Sequence, residues 1–176
     1  MPVSPHWVRD AVTRYQSPLI RYVCRMLGDI EQARDVVQDA FLRLCHQDQV
    51  LLEAEVRAWL YAVCRNRAID ILRKERRVVR MDEGDTENQV AAGPSAAEAL
   101  EENQRRQHLN QAMKELTPPQ QEVLRLKFGE GLSYREISRI TGFSESNVGF
   151  LIHVGVKKLR ECVGSGSMVA RGESAS

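Results

Sequence analysis

A dense run of basic side chains lies between residues 57 and 80 and is the part of the chain best suited to bind a polyanion. Eight Lys or Arg residues occur there against Asp70 and Glu75, although the formal net charge of the chain is only +1. Basic side chains neutralise phosphates, and separated nucleic-acid strands also require surfaces for their unstacked bases. Residues 81–103 then contain seven acids and no Lys or Arg, and an acidic segment can shield a basic one. Taken alone, a solvated helix face followed by a solubilising linker would explain this pattern better.

Polar residues from Ser144 to Asn147 begin a second segment that could read nucleic acid. Ser133 and Glu136 have the spacing of a capping box, which predicts the start of a short helix. Gly142 predicts a turn after that helix, and Ser144 is a suitable N-cap for the next one. Two short helices joined by a glycine-containing turn form a helix-turn-helix, whose second helix enters the major groove of DNA and contacts base edges. An ordinary helical hairpin is the alternative interpretation.

Residue combinations that carry catalysis are missing from the sequence. We find no Ser/His/Asp set, paired catalytic carboxylates, glycine-rich phosphate loop or metal-ligand cluster. The four cysteines are scattered without a Cys-x-x-Cys pair, which is typical of reduced thiols in or near a core. We therefore expect neither an enzyme, nor a cofactor, nor a metal site.

Hydropathy and the N-terminal residues indicate where in the cell the protein is expected. No apolar run approaches the roughly 20 residues needed to cross a bilayer. The N-terminus also lacks the basic start and apolar stretch of a secretory signal. These features predict a cytoplasmic protein with no membrane contact of its own.

Helices must position the candidate residues, because apolar residues recur at three- and four-residue steps through the first half of the chain. Gly28 predicts the end of the first helix, and Asp29 with Gln32 predicts the start of the second. At its spacing Trp59 is more often a core residue than a stacking platform for a base, and we favour the core. A third apolar stripe contains Val56, Trp59, Leu60, Val63, Ala68, Ile71 and Leu72.

The predicted fold is all-α, with two small helical domains joined by an acidic flexible linker and a helix-turn-helix in the second domain. Composition places the first domain at 1–80 and the linker, rich in acids, glycine and small residues, at 81–98. The second domain follows at 99–163. A flexible tail of small and polar residues is predicted at 164–176.

The order of these segments resembles the sigma-70 family of bacterial RNA polymerase sigma factors. Residues 29–43 resemble the most recognisable segment of sigma domain two, and residues 57–74 resemble the part that melts and reads the minus-ten promoter element. Residues 116–124 and 131–160 resemble sigma domain four. The resemblance covers nearly all of residues 6 to 162. It leaves no room for the third domain of larger sigma factors, which favours the extracytoplasmic-function (ECF) group.

This resemblance implies a sigma factor that binds core RNA polymerase and directs it to promoters, where it initiates transcription. In the family, domain two docks on the beta-prime clamp helices and reads melted single-stranded DNA, while domain four binds the beta-flap and the duplex minus-thirty-five element. An anti-sigma factor is a further implied partner. The polar loop from about 46 to 55 could frame a base pocket.

Three sets of site residues follow from the resemblance. The set for core polymerase is Asp35, Gln38 and Asp39. The set for the minus-ten element is Arg65, Asn66, Arg67, Asp70, Arg73 and Lys74. The set for the minus-thirty-five element is Arg135, Arg139, Ser144, Glu145, Ser146, Asn147, Lys157 and Lys158.

The second helix of the predicted helix-turn-helix departs from the family, in which it usually bears several Lys or Arg residues. Residues 149–156 contain neither, and charge returns only at Lys157. Fewer phosphate contacts would weaken DNA binding and flatten its salt dependence. One explanation is that the extra apolar surface meets a protein partner. The other, which we favour, is that basic residues elsewhere hold the phosphates. Those other residues would be Arg135, Arg139, Lys157 and Lys158.

Two other functions compete with a sigma factor. A stand-alone helix-turn-helix regulator would use the first domain for sensing or dimerisation, but it leaves the basic segment and residues 29–43 without a purpose. A helical adaptor that binds only proteins leaves the basic run unexplained.

Overall fold

A computed structural model describes residues 5–47, 55–79 and 107–169, and every regular element in these ranges is a helix. They form two compact units, an N-terminal unit built from the first three helices and a C-terminal unit built from the later ones. The predicted all-α class is therefore confirmed. The predicted acidic linker at 81–98 and most of the polar loop from 46 to 55 lie outside the described residues.

The N-terminal unit consists of helices that pack against one another pairwise: α1 (Pro5–Leu27), α2 (Ile30–Leu44) and α3 (Val56–Val79). Gly28 follows α1 with a φ of 76°, a left-handed conformation that glycine adopts without a Cβ penalty. Asp29 begins α2, because its Oδ1 accepts hydrogen bonds from the backbone N–H groups of Glu31 at 2.8 Å and Gln32 at 3.0 Å. The predicted boundary between the first two helices is confirmed.

Helix α3 packs through a stripe that differs from the predicted one. Tyr61 and Cys64 are buried, while Trp59 and Val63 are only half-buried. The Tyr61 ring meets the ring of Tyr22 on α1 with centroids 5.2 Å apart and planes tilted by 60°. Such aromatic pairs contribute about 0.5–1.5 kcal/mol beyond the area they bury. The pairing turns Tyr61 into the core, and the prediction that Trp59 is a core residue is corrected to a place at the core's margin.

The C-terminal unit contains four described α-helices: α4 at 107–114, α5 (Pro118–Leu124), α6 (Tyr134–Thr141) and α7 (Glu145–Val169). Helix α5 packs against α7. It continues into a wider π-helical turn over Arg125–Gly129, where the N–H of Glu130 bonds the carbonyl of Arg125 at 3.1 Å. Turns of this kind are frequent at functional sites.

The last helix is longer than the sequence predicted. Helix α7 continues past Gly164 to Val169, so the first part of the predicted tail is helical. Gly164 and Gly166 each cost a helix only about 1 kcal/mol, and residues 165–169 contain no proline that would end it. Residues 170–176 lie outside the described part of the chain. None of the described helices combines the length and apolar character needed to span a membrane.

Candidate functional site

The outward face of α2 carries the three residues predicted to bind core polymerase. Asp35, Gln38 and Asp39 are exposed and lie three or four residues apart, so one side of the helix presents them together. Two carboxylates and an amide on a rigid helix can accept hydrogen bonds and ion pairs from a basic partner. The opposite side is buried in the core through Ala33, Val36, Val37, Ala40, Phe41 and Leu44.

A shallow groove between α1 and α2 adjoins this face. Val12 and Ile20 of α1 line it together with Gln38 and Phe41 of α2, and its volume is about 380 Å³. Leu42, four residues after Gln38, is 56% exposed and adds apolar surface on the same side. We did not single out Leu42 from the sequence, although its place outside the buried stripe was the available signal. Apolar surface bordered by polar groups is typical of protein interfaces.

The outward face of α3 carries part of the predicted minus-ten set. Asn66, Asp70 and Arg73 follow one another at steps of four and three residues, which places them on one side of the helix. Trp59 precedes Asn66 by seven residues, nearly two turns, and therefore lies on the same side. This side combines an indole ring with hydrogen-bonding and basic groups. Of the predicted set, Asn66, Asp70, Arg73 and Lys74 are exposed, whereas Arg65 and Arg67 flank the face and are half-buried.

The inner side of α3 is held in the core of the N-terminal unit. Cys64 is fully buried there, and desolvation raises the pKa of its thiol to about 12. Near the end of the helix, Glu75 Oε1 accepts a long hydrogen bond of 3.5 Å from Gln32 Nε2 of α2. Because α2 and α3 are packed and bonded in this way, the faces that they present keep a fixed relation to each other.

Helices α6 and α7 form the predicted helix-turn-helix. Ser133 Oγ accepts a hydrogen bond from the N–H of Glu136 at 3.2 Å, and the N–H of Ser133 donates to Glu136 Oε2 at 2.8 Å, which completes the capping box. Gly142 follows α6 with a φ of 80°. Ser138 Oγ donates to the carbonyl of Phe143 at 2.6 Å across the turn. These contacts determine the angle at which the chain enters α7.

The predicted minus-thirty-five residues are exposed, and half of them surround the start of α7. Ser144 Oγ accepts a hydrogen bond from the N–H of Asn147 at 3.2 Å, so Ser144 is the N-cap of this helix. Its first turn can therefore enter a groove with a defined geometry and present hydroxyl, carboxylate and amide groups. The exposed set comprises Ser144, Glu145, Ser146, Asn147, Arg135, Arg139, Lys157 and Lys158.

Lys127, in the π-helical turn, was not among the predicted site residues. Its Nζ donates to the carbonyl of Leu132 at 3.3 Å and lies 5.1 Å from the centroid of the Tyr134 ring. A cation at this distance from an aromatic ring is attracted by the ring's negative face. Lys127 thus links the π-helical turn to the first residue of α6.

The apolar residues 149–156 of α7 do not form one surface. Ile152 and Gly155 are buried, together with the preceding Val148. Phe150 is 64% exposed, and His153 is also exposed. Phe150 was not among the predicted site residues, although a helical projection of this stretch separates it from the buried residues. In the described ranges, no group of three or more His, Cys, Asp or Glu residues could hold a metal ion.

Two family models match the chain over the parts that carry these surfaces. The model described as "Sigma-70 region 2" matches residues 11–78, and the model described as "Sigma-70, region 4" matches residues 106–159. The first match contains the outward faces of α2 and α3. The second contains the helix-turn-helix.

Three curated relatives align with this chain along most of their length. The RNA polymerase sigma factor CarQ of Myxococcus xanthus is 30% identical over 157 residues, which cover 88% of each chain. The ECF RNA polymerase sigma factor SigL of Mycobacterium tuberculosis is 29% identical, covering 87% of this chain and 86% of SigL. The ECF RNA polymerase sigma factor SigW of Bacillus subtilis is 29% identical over 86% of each chain.

The fold also has a counterpart among solved structures. The sigma factor RpoE from Bartonella quintana, crystallised in complex with the anti-sigma factor NepR, superimposes with a TM-score of 0.66 at 20% sequence identity. The alignment covers 89% of this chain and 96% of that one. Taken with the family matches and the curated relatives, the chain belongs to the sigma-70 family as an ECF sigma factor, a subunit that directs RNA polymerase to promoters.

Proposed function

We propose that this sigma factor binds core RNA polymerase through the outward face of α2, opens the minus-ten element with the outward face of α3, and reads the minus-thirty-five element with its helix-turn-helix. The observation that carries this assignment is that the N-terminal unit presents an acidic and amide face on α2 together with a face on α3 where the exposed Asn66 and Asp70 are followed by the exposed basic residues Arg73 and Lys74. The proposed sigma domains, 1–80 and 99–163, enclose the family matches at 11–78 and 106–159.

Core binding is assigned to Asp35, Gln38 and Asp39, which would face the beta-prime clamp helices. Their exposed oxygens can accept charge-assisted hydrogen bonds, and the neighbouring groove with Leu42 offers apolar contact. This combination suits a protein partner better than a nucleic acid, because carboxylates repel phosphates. The C-terminal unit would contact the beta-flap.

Promoter opening is assigned to the outward face of α3 and its flanks. Arg65, Arg67, Arg73 and Lys74 would follow the phosphates of the separated strands, while Asn66 and Asp70 would offer hydrogen bonds to unstacked bases. A base inside a duplex cannot present its pairing edge to such groups. Binding to this face therefore favours separated strands over the closed duplex.

Upstream recognition is assigned to the helix-turn-helix. Residues 144–147 would contact base edges in the major groove. Arg135, Arg139, Lys157 and Lys158 would hold phosphates, which position the helix without carrying sequence information. Duplex binding at this site and single-strand binding on α3 would together bracket the promoter.

The proposed function also implies where the chain acts and which protein regulates it. The chain would be a non-catalytic subunit of the polymerase and would act in the cytoplasm, where the chromosome lies. We further propose a protein anti-sigma factor as its regulator, because ECF sigma factors commonly have one.

The experiment that tests the proposed function combines a pull-down with transcription. Purified chain is expected to retain core RNA polymerase and to support transcription from a subset of a promoter library that core polymerase alone does not use. A chain that binds duplex operators unaided and never associates with core polymerase would instead be a stand-alone regulator, and the assignment would be wrong.

A further inference from the structure

We propose that Phe150 determines promoter specificity by contacting the 5-methyl group of a thymine in the minus-thirty-five element. This contact rests on the proposed function of the helix-turn-helix and deepens it by naming the base that α7 reads. Phe150 is 64% exposed, whereas the other large apolar side chains between residues 145 and 162, the part of α7 whose side chains are described, are buried or half-buried.

Phe150 lies near the centre of the outward side of α7. Successive residues of an α-helix are rotated by about 100° around its axis, so the buried residues define the side that packs on the C-terminal unit: Val148, Ile152 and Gly155. The opposite side contains residues separated by steps of four, three and four, and all of them are exposed: Ser146, Phe150, His153 and Lys157. In a helix-turn-helix, the outward side of the second helix is the one that enters the major groove.

The surroundings of Phe150 favour a small apolar partner over the core of a protein interface. On the outward side of α7 between residues 145 and 162, Phe150 is the one large apolar side chain that is exposed, and its neighbours on that side are the polar residues Ser146, His153 and Lys157. Protein interfaces are usually built around a broader apolar centre. A ring bordered by hydrogen-bonding and basic groups matches a methyl group that lies among base edges and phosphates.

The chemistry of the major groove then selects thymine. Adenine, guanine and cytosine present hydrogen-bond donors and acceptors there, whereas thymine also presents its C5-methyl group. Residues 145–156 contain no Lys or Arg, so this stretch of α7 lacks the side chains that most often read guanine. Burying one methyl group against the ring would strengthen binding about fourfold, taking roughly 0.8 kcal/mol for each buried CH₂ group.

The test uses holoenzyme assembled from the full chain and core RNA polymerase. Selection from a promoter in which only the upstream element is randomised first gives the preferred element. Each thymine of that element, on either strand, is then replaced singly by uracil, which lacks only the 5-methyl group, and the dissociation constant of the holoenzyme is measured on each synthetic duplex.

We expect one thymine whose replacement weakens binding by the wild-type holoenzyme about fourfold. Holoenzyme with Phe150→Ala should bind the thymine and uracil duplexes equally. Leu109→Ala is the matched control, because Leu109 is also an exposed apolar residue, at 49%, but lies in α4 outside the helix-turn-helix. That variant should keep the wild-type response to the methyl group.

Other outcomes would overturn the contact in recognisable ways. A selected element without thymine, or an unchanged response to uracil in Phe150→Ala, would refute the contact and leave the proposed function intact. Weaker binding of core polymerase by Phe150→Ala, with the wild-type response to the methyl group retained in the holoenzyme that still assembles, would assign the ring to a protein partner. If the wild-type holoenzyme selected no upstream sequence, the proposed function of the helix-turn-helix would fail, and the inferred contact would fail with it.

Discussion

Gly155 of α7 lies directly against Leu124 of α5. A Cβ atom at Gly155 would come within 2.8 Å of Leu124 Cδ1 and 3.4 Å of Leu124 Cγ. Leu124 is itself buried, so its side chain has little room to move away. The close approach of α5 and α7, which supports the helix-turn-helix from behind, therefore depends on the absence of a side chain at this position.

Two glycine substitutions in α7 should have different effects on stability. Gly149→Ala should raise the free energy of unfolding by about 0.5–1 kcal/mol, because alanine favours a helix and its Cβ would meet Tyr134 Cε2 at an ordinary 3.5 Å. Gly155→Ala should raise the free energy of unfolding by less than Gly149→Ala does, or should lower it. Gly155→Val should lower the free energy of unfolding by about 1–3 kcal/mol through overpacking. Urea unfolding of the full-length variants measures these differences. Equal gains from both alanine variants would contradict the close contact between Gly155 and Leu124.

Gly142→Ala should destabilise the helix-turn-helix. Nothing lies within 4 Å of a Cβ at Gly142, but its φ is 80°, and a left-handed residue with a Cβ costs about 1–2 kcal/mol. Gly142→Asn should cost less, because asparagine tolerates this conformation. Thermal unfolding provides the ranking, and an alanine variant as stable as wild type would argue against the left-handed turn.

Substitutions on the two faces of the N-terminal unit should separate core binding from promoter melting. The double variant Asp35→Ala, Gln38→Ala should bind less core polymerase in a pull-down, because it removes groups proposed to face the polymerase. The double variant Asn66→Ala, Arg67→Ala should retain polymerase normally and fail in promoter opening. Pull-down measures the first property and permanganate reactivity of unpaired thymines measures the second. Equal loss of core binding in both variants would contradict the assignment of the two faces.

The cysteines should differ in reactivity according to burial. Cys45 and Cys162 are exposed, so iodoacetamide at pH 8 should modify them readily in the native protein. Cys64 is buried, and its pKa of about 12 keeps the thiol protonated, so it should react only after unfolding. Mass spectrometry of peptides before and after addition of urea identifies each site. Rapid native modification of Cys64 would show that α3 does not pack as described.

Burial of Cys64 should also make stability depend on pH in the alkaline range. Its pKa is raised from 9.0 to about 12 in the folded protein, so the unfolded state ionises first as pH rises. The stabilising contribution of the neutral thiol is therefore complete below about pH 9 and declines between pH 9 and 12. Urea unfolding measures the free energy of unfolding at each pH. Between pH 8 and 10.5 this free energy should decline less steeply for Cys64→Ala than for wild type, whatever the absolute stability of the variant.

Much of the architecture was predictable because it depends on neighbours in the sequence. Caps at Asp29, Ser133 and Ser144 are local hydrogen bonds, and the turns at Gly28 and Gly142 require a conformation that glycine adopts most easily. The apolar repeat of α2 likewise leaves Asp35, Gln38 and Asp39 on the solvent side of the helix. Such features need only the geometry of one helix.

Contacts between helices could not be predicted from the geometry of a single helix. The pairing of Tyr61 with Tyr22 moves the buried stripe of α3 and leaves Trp59 half-buried, because the side that packs is chosen by the neighbouring helix and not by hydropathy alone. Packing of α7 against α5 likewise turns Ile152 and Gly155 inward and leaves Phe150 exposed, on the side that a helical projection of the sequence already separates from them.

Local sequence patterns were therefore sufficient to predict the order of the helices, the caps and turns named above and the outward side of α2, and the motifs indicated the family. Packing between helices was needed to establish the buried side of α3, and with it the half-buried position of Trp59. The physical reason is that caps and turns arise from interactions over three or four residues, whereas burial depends on the shape of surfaces brought together from distant parts of the chain.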